Sequence, residues 1–163
     1  MWKTLISVLV FSWGVLGTTQ NIDYSDVKFD KREMLQLVND ARMTRRLCGG
    51  KRHEAVPPLQ WNAKLAKAAQ KHADDMAGND FFDHTGSDKS TVAIRIERED
   101  YLWMAVGENI AMGPRSVREV VDGWLKSPGH CSNIMNGEFT EMGAALSYDG
   151  KYWVQVFATP RGK

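Results

Sequence analysis

A proline inside an otherwise helical run constrains this chain more than any other single residue. Pro128 lies in WLKSPGHCSNIM, residues 124–135. A proline suits the first turn of a helix and breaks its interior, so Ser127 reads as an N-cap and Pro128 as position N1 of a new short helix. The helix that brings Trp124 must therefore end there, at a corner. His130 falls in the first turn of the new helix, near unpaired backbone N–H groups. Cys131 beside it offers a covalent anchor.

The chain has 163 residues, 43% of them hydrophobic and 25% charged, enough for one domain with a real core. Its 21 Lys and Arg balance 20 Asp and Glu, which gives no basic field for nucleic acid or an anionic membrane. The basic run at Arg42, Arg45, Arg46, Lys51 and Arg52 reads as a solvated face. The first residues differ in kind. Lys3 precedes an apolar run over 5–16, too short to span a bilayer comfortably, and Val15-Leu16-Gly17 suits cleavage after Gly17. We therefore expect a signal peptide over 1–17, an uncleaved anchor being the alternative, and a secreted or periplasmic protein with no stable membrane anchor after cleavage. In an oxidising compartment, Cys48 and Cys131 read as a structural disulfide closing a loop of roughly 80 residues. Two cysteines cannot build a four-thiolate zinc site.

Residues 18–29 are polar with little periodicity and predict a flexible arm, leaving 30–163 as the domain. Met34, Leu37, Val38 and Ala41 recur at helical spacing, with Asp30 as cap and Gly49-Gly50 as the stop. Pro57-Pro58 marks a loop from which Val56 and Leu59 dip inward. A second helix runs from the N-cap Asn62 to about Ala77, with Leu65, Ala68, Ala69, His72 and Met76 on its inner stripe and Gly78-Asn79 as its stop. His72 there reads as a satisfied core histidine. Ser90 caps a third helix to about Glu99. Residues 105–111 form a buried turn or short strand. Ser116 caps a fourth helix whose inner face is Val117, Val120, Val121 and Trp124. Strands at 142–148 and 152–158 flank Asp149-Gly150, a two-residue hairpin signal. Helices first and an antiparallel hairpin last give an α+β class.

Three groups stand out chemically. His84 follows the aromatic anchors Phe81 and Phe82. Glu108 lies between Gly107 and Asn109 in an apolar setting, where a buried carboxylate needs a cationic or hydrogen-bonding partner. His130 is at the corner. Two imidazoles and a carboxylate are also a zinc ligand set. Spacing alone does not make the three converge.

The stretches LVNDAR at 37–42, PLQWNAKLAKAAQKHADDMA at 58–77, FFDHTGSD at 81–88, GENIAMG at 107–113 and VVDGWLKSPGHCSNIM at 120–135 resemble the CAP superfamily. That superfamily groups cysteine-rich secretory proteins, antigen five and plant pathogenesis-related proteins, and the likeness is to its bacterial branch of extracellular SCP-like domains. The resemblance covers roughly 32–158. It implies a three-layer α-β-α sandwich around a central antiparallel sheet, with a cleft that many members line with two His and two Glu and can fill with a divalent metal such as zinc. The first His maps to His84, the first Glu to Glu108 and the second His to His130. The second Glu maps to Ser127, a departure that removes one anionic ligand. Glu119 and Asp122 do not substitute, because Ser127 rather than either is in register with Val120 and Trp124. The branch also pairs a Cys after the first helix with the one after Gly-His, as Cys48 with Cys131. A metal at His84, Glu108 and His130, with Ser127 and Asn109 in the cleft, is the site expectation. The preferred reading is a secreted binding module for a lipid-like or protein ligand rather than an enzyme. A metal-assisted or His/Glu hydrolase acting on peptide or cell-wall material is one alternative, and a purely structural polar cleft is another.

Overall fold

The computed structural model describes residues 22–162. The signal peptide expected over 1–17 lies outside them. Helix α1 spans Lys31–Arg42, and a separate two-stranded hairpin follows from β1 (Arg46–Cys48) and β2 (Lys51–His53). Next come β3 (Gln60–Trp61), α2 (Ala63–Asn79), α3 (Val92–Glu97) and β4 (Trp103–Met112). The chain closes with α4 (Val117–Lys126), α5 (Pro128–Ile134), β5 (Glu141–Leu146) and β6 (Tyr152–Pro160).

The main sheet has the order β3-β5-β6-β4. Both long pairings of β6 are antiparallel, and the two-residue edge strand β3 runs parallel to β5. Strand periodicity sorts β6 between two cores. Trp153 and Phe157 face α1, α4 and α5, while Val154, Val156 and Ala158 face α2 and α3. The three-layer sandwich follows from that alternation. One layer comes very close: a Cβ on Gly143 of β5 would lie 2.1 Å from the Ala66 nitrogen of α2.

Several local expectations change. Gly49-Gly50 does not stop α1, which ends at Arg42. Both glycines have positive φ (58° and 89°) and form the turn of the β1–β2 hairpin, a use of Gly-Gly that competes with helix termination. The stop of α2 is Asp80 in the left-handed region (φ 48°), not Gly78-Asn79. Thr91, not Ser90, caps α3. Residues 105–111 belong to a ten-residue strand. Asp149-Gly150 is part of a longer loop, in which the Gly150 N–H donates to the Ser147 carbonyl and the Tyr152 N–H to the Ser147 hydroxyl. Tyr24, Val27 and Phe29 of the expected arm pack against the domain: Val27 is buried, and Phe29 lies 6.2 Å from Trp61 and 6.3 Å from Trp153.

Arg42 is the largest correction, since it is fully buried rather than part of a solvated face. It follows Ala41 on the stripe of Met34 and Val38, and its guanidinium donates to four backbone carbonyls. The Cys48–Cys131 disulfide is formed, with the Cα atoms 5.5 Å apart.

Arg42→Lys is expected to cost about 3 kcal/mol, because an ammonium cannot reach the four carbonyls at once. Gly143→Ala is expected to cost about 3 kcal/mol or more through overpacking against α2. Chemical denaturation of each variant beside the parent tests both values.

Candidate functional site

The site straddles the outer edge of the sheet. Among the described residues strand β4 pairs only with β6, and Glu108 lies opposite Val156 while Asn109 lies opposite Gln155. Alternation therefore turns Glu108 toward the α2–α3 layer and Asn109 toward the α5 layer. At an interior strand the two would be separated by the sheet; at an edge they can serve one site.

Glu108 is buried, and both its carboxylate oxygens are engaged. Oε2 accepts from Arg95 Nη2 at 2.7 Å, and Oε1 from His84 Nδ1 at 2.8 Å. Arg95, buried on α3, also donates to the Ser90 and His84 carbonyls. One guanidinium thus holds the carboxylate and the loop that carries its histidine partner. His72 joins from α2. Its Nε2 lies 3.0 Å from the Asp83 carbonyl and 4.0 Å from Glu108 Oε1, and its buried Nδ1 has no partner among the described residues.

The opposite side is a chain of amides. Asn109 donates to the His130 carbonyl at 3.2 Å and to Gln155 Oε1 at 3.1 Å. Asn133 donates to the Glu108 carbonyl and to Asn109 Oδ1. Asn109 is fully buried, so it supports the site from beneath and does not line its surface. Ser127 holds the backbone position of an N-cap, but its hydroxyl makes no capping hydrogen bond, contrary to expectation. The corner is held by backbone instead: the Cys131 N–H donates to the Ser127 carbonyl and the Ser127 N–H to the Trp124 carbonyl.

The histidines sit in different electrostatic settings. The hydrogen bond to Glu108 raises the pKa of His84 above its ordinary 6.5. Burial lowers that of His72. Burial, then repulsion from His84, lowers that of His130. His84 therefore adds stability that is fully present below about 6.5 and is lost as pH rises through its raised value. His72 and His130 act oppositely, contributing above 6.5 and losing that contribution as pH falls through their lowered values.

As a metal ligand, Glu108 is already committed. Among the described residues no three His, Cys, Asp or Glu side chains are grouped to hold an ion. The one carboxylate of the expected set is bound by Arg95 and by His84 Nδ1, which leaves Nε2 as the free nitrogen of the His84 ring. Arg95 had no place in the sequence reading, because an arginine five residues after the expected Ser90 cap looks like surface. The demand for a cation opposite a buried Glu108 was the available signal.

A family model described as the cysteine-rich secretory protein family, CAP, matches residues 35–157. The Bacillus subtilis protein YkwD is 29% identical over 133 residues, which is 82% of this chain and 48% of that protein. An extracellular protein containing an SCP domain from Bacillus anthracis superposes with a TM-score of 0.68 at 30% identity, over 78% of this chain and 39% of that one. An outer surface protein of Borrelia burgdorferi shares the fold, with a TM-score of 0.65 at 24% identity, over 82% of this chain and 98% of that one. The chain thus spans about half or less of the first two.

Proton NMR titration is expected to place the His84 midpoint above that of an ordinary histidine and those of His72 and His130 below it. Glu108→Gln should bring His84 back toward 6.5. A His84 midpoint unmoved by that substitution would mean that the pair does not form.

Proposed function

The chain belongs to the cysteine-rich secretory protein (CAP) family, and on that premise we propose that it is an exported binding domain whose recognition groups are the imidazoles of His84 and His130. One observation carries the reading: both oxygens of Glu108 are taken, by Arg95 and by His84. A general base or a metal ligand needs a free lone pair, and this carboxylate would have to give up a charge-assisted bond to supply one. Glu108 is better suited to anchoring. By accepting from Nδ1 it fixes the His84 ring and leaves Nε2 of a half-exposed side chain free to meet a ligand. On the α5 side Asn109 donates to the His130 backbone carbonyl and Asn133 to Asn109, which fixes the main chain that carries the second imidazole.

A recess on the α2–α3 side of Glu108 is lined by polar side chains, His72 and Arg95 among them but neither His84 nor His130. Its volume is about 180 Å³ and its walls include Lys71, Asp75, Ser87, Asp88 and Arg98. Export is supported by the disulfide between Cys48 and Cys131, a bond that persists in oxidising compartments. The apolar run over 5–16 followed by Gly17 is the export signal in this reading.

Zinc titration by calorimetry on the oxidised protein at pH 7.5, with a His84→Ala, His130→Ala double variant alongside, separates binding from metal-assisted hydrolysis. Neither protein is expected to take up zinc at micromolar concentrations. Micromolar uptake by the parent that the double variant loses would overturn direct recognition by the imidazoles, showing that they act through a metal, and would make the hydrolase reading the next to test.

A further inference from the structure

Away from His84 and Glu108, the fold gathers charge on one exposed element. Residues 42–53, bounded by Asp40 and Glu54, hold five of the chain's 21 cations and none of its 20 acids. Arg42 is consumed inside the protein. Arg45, Arg46, Lys51 and Arg52 remain on or beside the β1–β2 hairpin, all but the half-buried Arg46 exposed. The rest of the chain is net acidic, so the hairpin is a local positive feature on a nearly neutral molecule.

The hairpin stands apart from the main sheet and is pinned to α5 at two points. Cys48 is bonded to Cys131, and a Cβ on Gly49 would sit 2.6 Å from Pro128 Cβ. The register Arg46 opposite His53, Leu47 opposite Arg52 and Cys48 opposite Lys51 then sorts the side chains. Arg46, Cys48, Lys51 and His53 share the face turned to α5, while Leu47 and Arg52 face away.

Between that inner face and α5 lies a groove of about 370 Å³, lined by Lys51, His53, Ser132, Asn133 and Asn136 among others, with no acidic side chain among the described residues of its wall. His53 Nε2 lies 3.4 Å from the Ser132 hydroxyl. Arg46 Nε is buried with no hydrogen-bond partner among the described residues. The negative end of α5 does not oppose an anion here, because the Ile134 and Asn136 carbonyls are covered by Arg42. The groove therefore offers a lysine, an imidazole, a hydroxyl and amides, with further cations along the hairpin beside it.

We propose that this groove binds an acidic polysaccharide, with Lys51 and His53 meeting its acid groups, Ser132 and Asn136 its hydroxyls, and Arg45, Arg46 and Arg52 the next charges along the chain. Amides and a hydroxyl beside a cation match a sugar that carries both hydroxyls and an anion. A nucleic-acid strand would want stacking aromatics, and none lines the groove. A lipid surface would want exposed apolar side chains in the groove, whereas the one large apolar residue of its wall, Met135, is buried.

The test is binding of the oxidised protein to a size-defined heparin hexasaccharide, with neutral dextran and phosphatidylglycerol-containing vesicles as parallel probes. The hexasaccharide is expected to bind, in a salt-dependent way, and neutral dextran is not. Lys51→Ala with Arg52→Ala should weaken binding by about tenfold or more at low salt. Asn136→Ala, which leaves every charge in place, should weaken it by about threefold. Thermal melting confirms that each variant is folded. Three results would each overturn the proposal: no hexasaccharide binding, tighter binding to the vesicles, or binding that Asn136→Ala leaves unchanged while Arg115→Ala, at an exposed site in the loop before α4, weakens it as much as the hairpin pair.

Discussion

The buried guanidinium of Arg42 is the interaction on which the functional half of this molecule depends. Among the described residues it has no carboxylate partner. Nε donates to the Pro57 carbonyl at 2.8 Å, Nη1 to those of Ile134 and Asn136 at 2.7 and 2.9 Å, and Nη2 to that of Phe139 at 3.2 Å. Burial lowers its pKa to about 10, which still leaves it charged at neutral pH. A planar fork with five donors is the side chain suited to this, because the carbonyls come from three directions: the loop before β3, the end of α5 and the turn into β5. Two of them close the C-terminal end of a helix, whose partial negative charge compensates the cation without a buried acid. Arg42 thus replaces what would otherwise be several unsatisfied backbone acceptors in the core.

With its far end held by Arg42, α5 is held at its near end by the Cys48–Cys131 disulfide and by Gly49 against Pro128. A helix of seven residues has little intrinsic stability, so tertiary attachments are what order it. His130 and Asn133 inherit their positions from those attachments. So does the edge-strand arrangement, in which Asn133 caps the outward Glu108 carbonyl and Trp124 Nε1 the outward Ile110 carbonyl. An exposed edge would invite pairing with another chain. Here the middle of β4 is closed by side chains of α4 and α5, and the register shift between Trp103 and Ala105 disrupts the ladder at its start.

Much of this was legible in the residues. The stripe of Val117, Val120, Val121 and Trp124 is buried as its spacing demands, and Asp30, Asn62 and Ser116 cap their helices with their side chains. The Ser-Pro corner is where the sequence puts it. Glycine was read less well, since Gly-Gly serves both as a helix stop and as a hairpin turn and only the partner strand decides between them. The site was legible as residues and not as bonds. His84 and Glu108 do meet, yet the third member of their cluster is Arg95, whose role depends on a helix packing that no local pattern encodes. Arg42 was misread for a related reason. A basic residue among basic neighbours looks solvated, and its position on the stripe of Met34, Val38 and Ala41 was the overlooked signal. His72 was read as a core histidine, and its burial agrees, but its 4.0 Å approach to Glu108 makes it part of the site's electrostatics as well.

Rigidity also decides what the two faces of α5 can do. A recognition surface built on a loosely held helix would lose conformational freedom on binding, and that loss would be deducted from affinity. Fixed by a covalent bond, by a turn packed on Pro128 and by a guanidinium, α5 has little freedom left to lose. The His130 side and the hairpin side are presented by the same short segment, and Asn133 touches both through its bonds to Glu108 and Asn109 and its place in the groove wall. A displacement of α5 by one ligand would therefore be felt at the other face, whereas ligands that fit the helix as it stands bind without reference to each other. With so many constraints on so few residues, independence is the expected behaviour of the two faces.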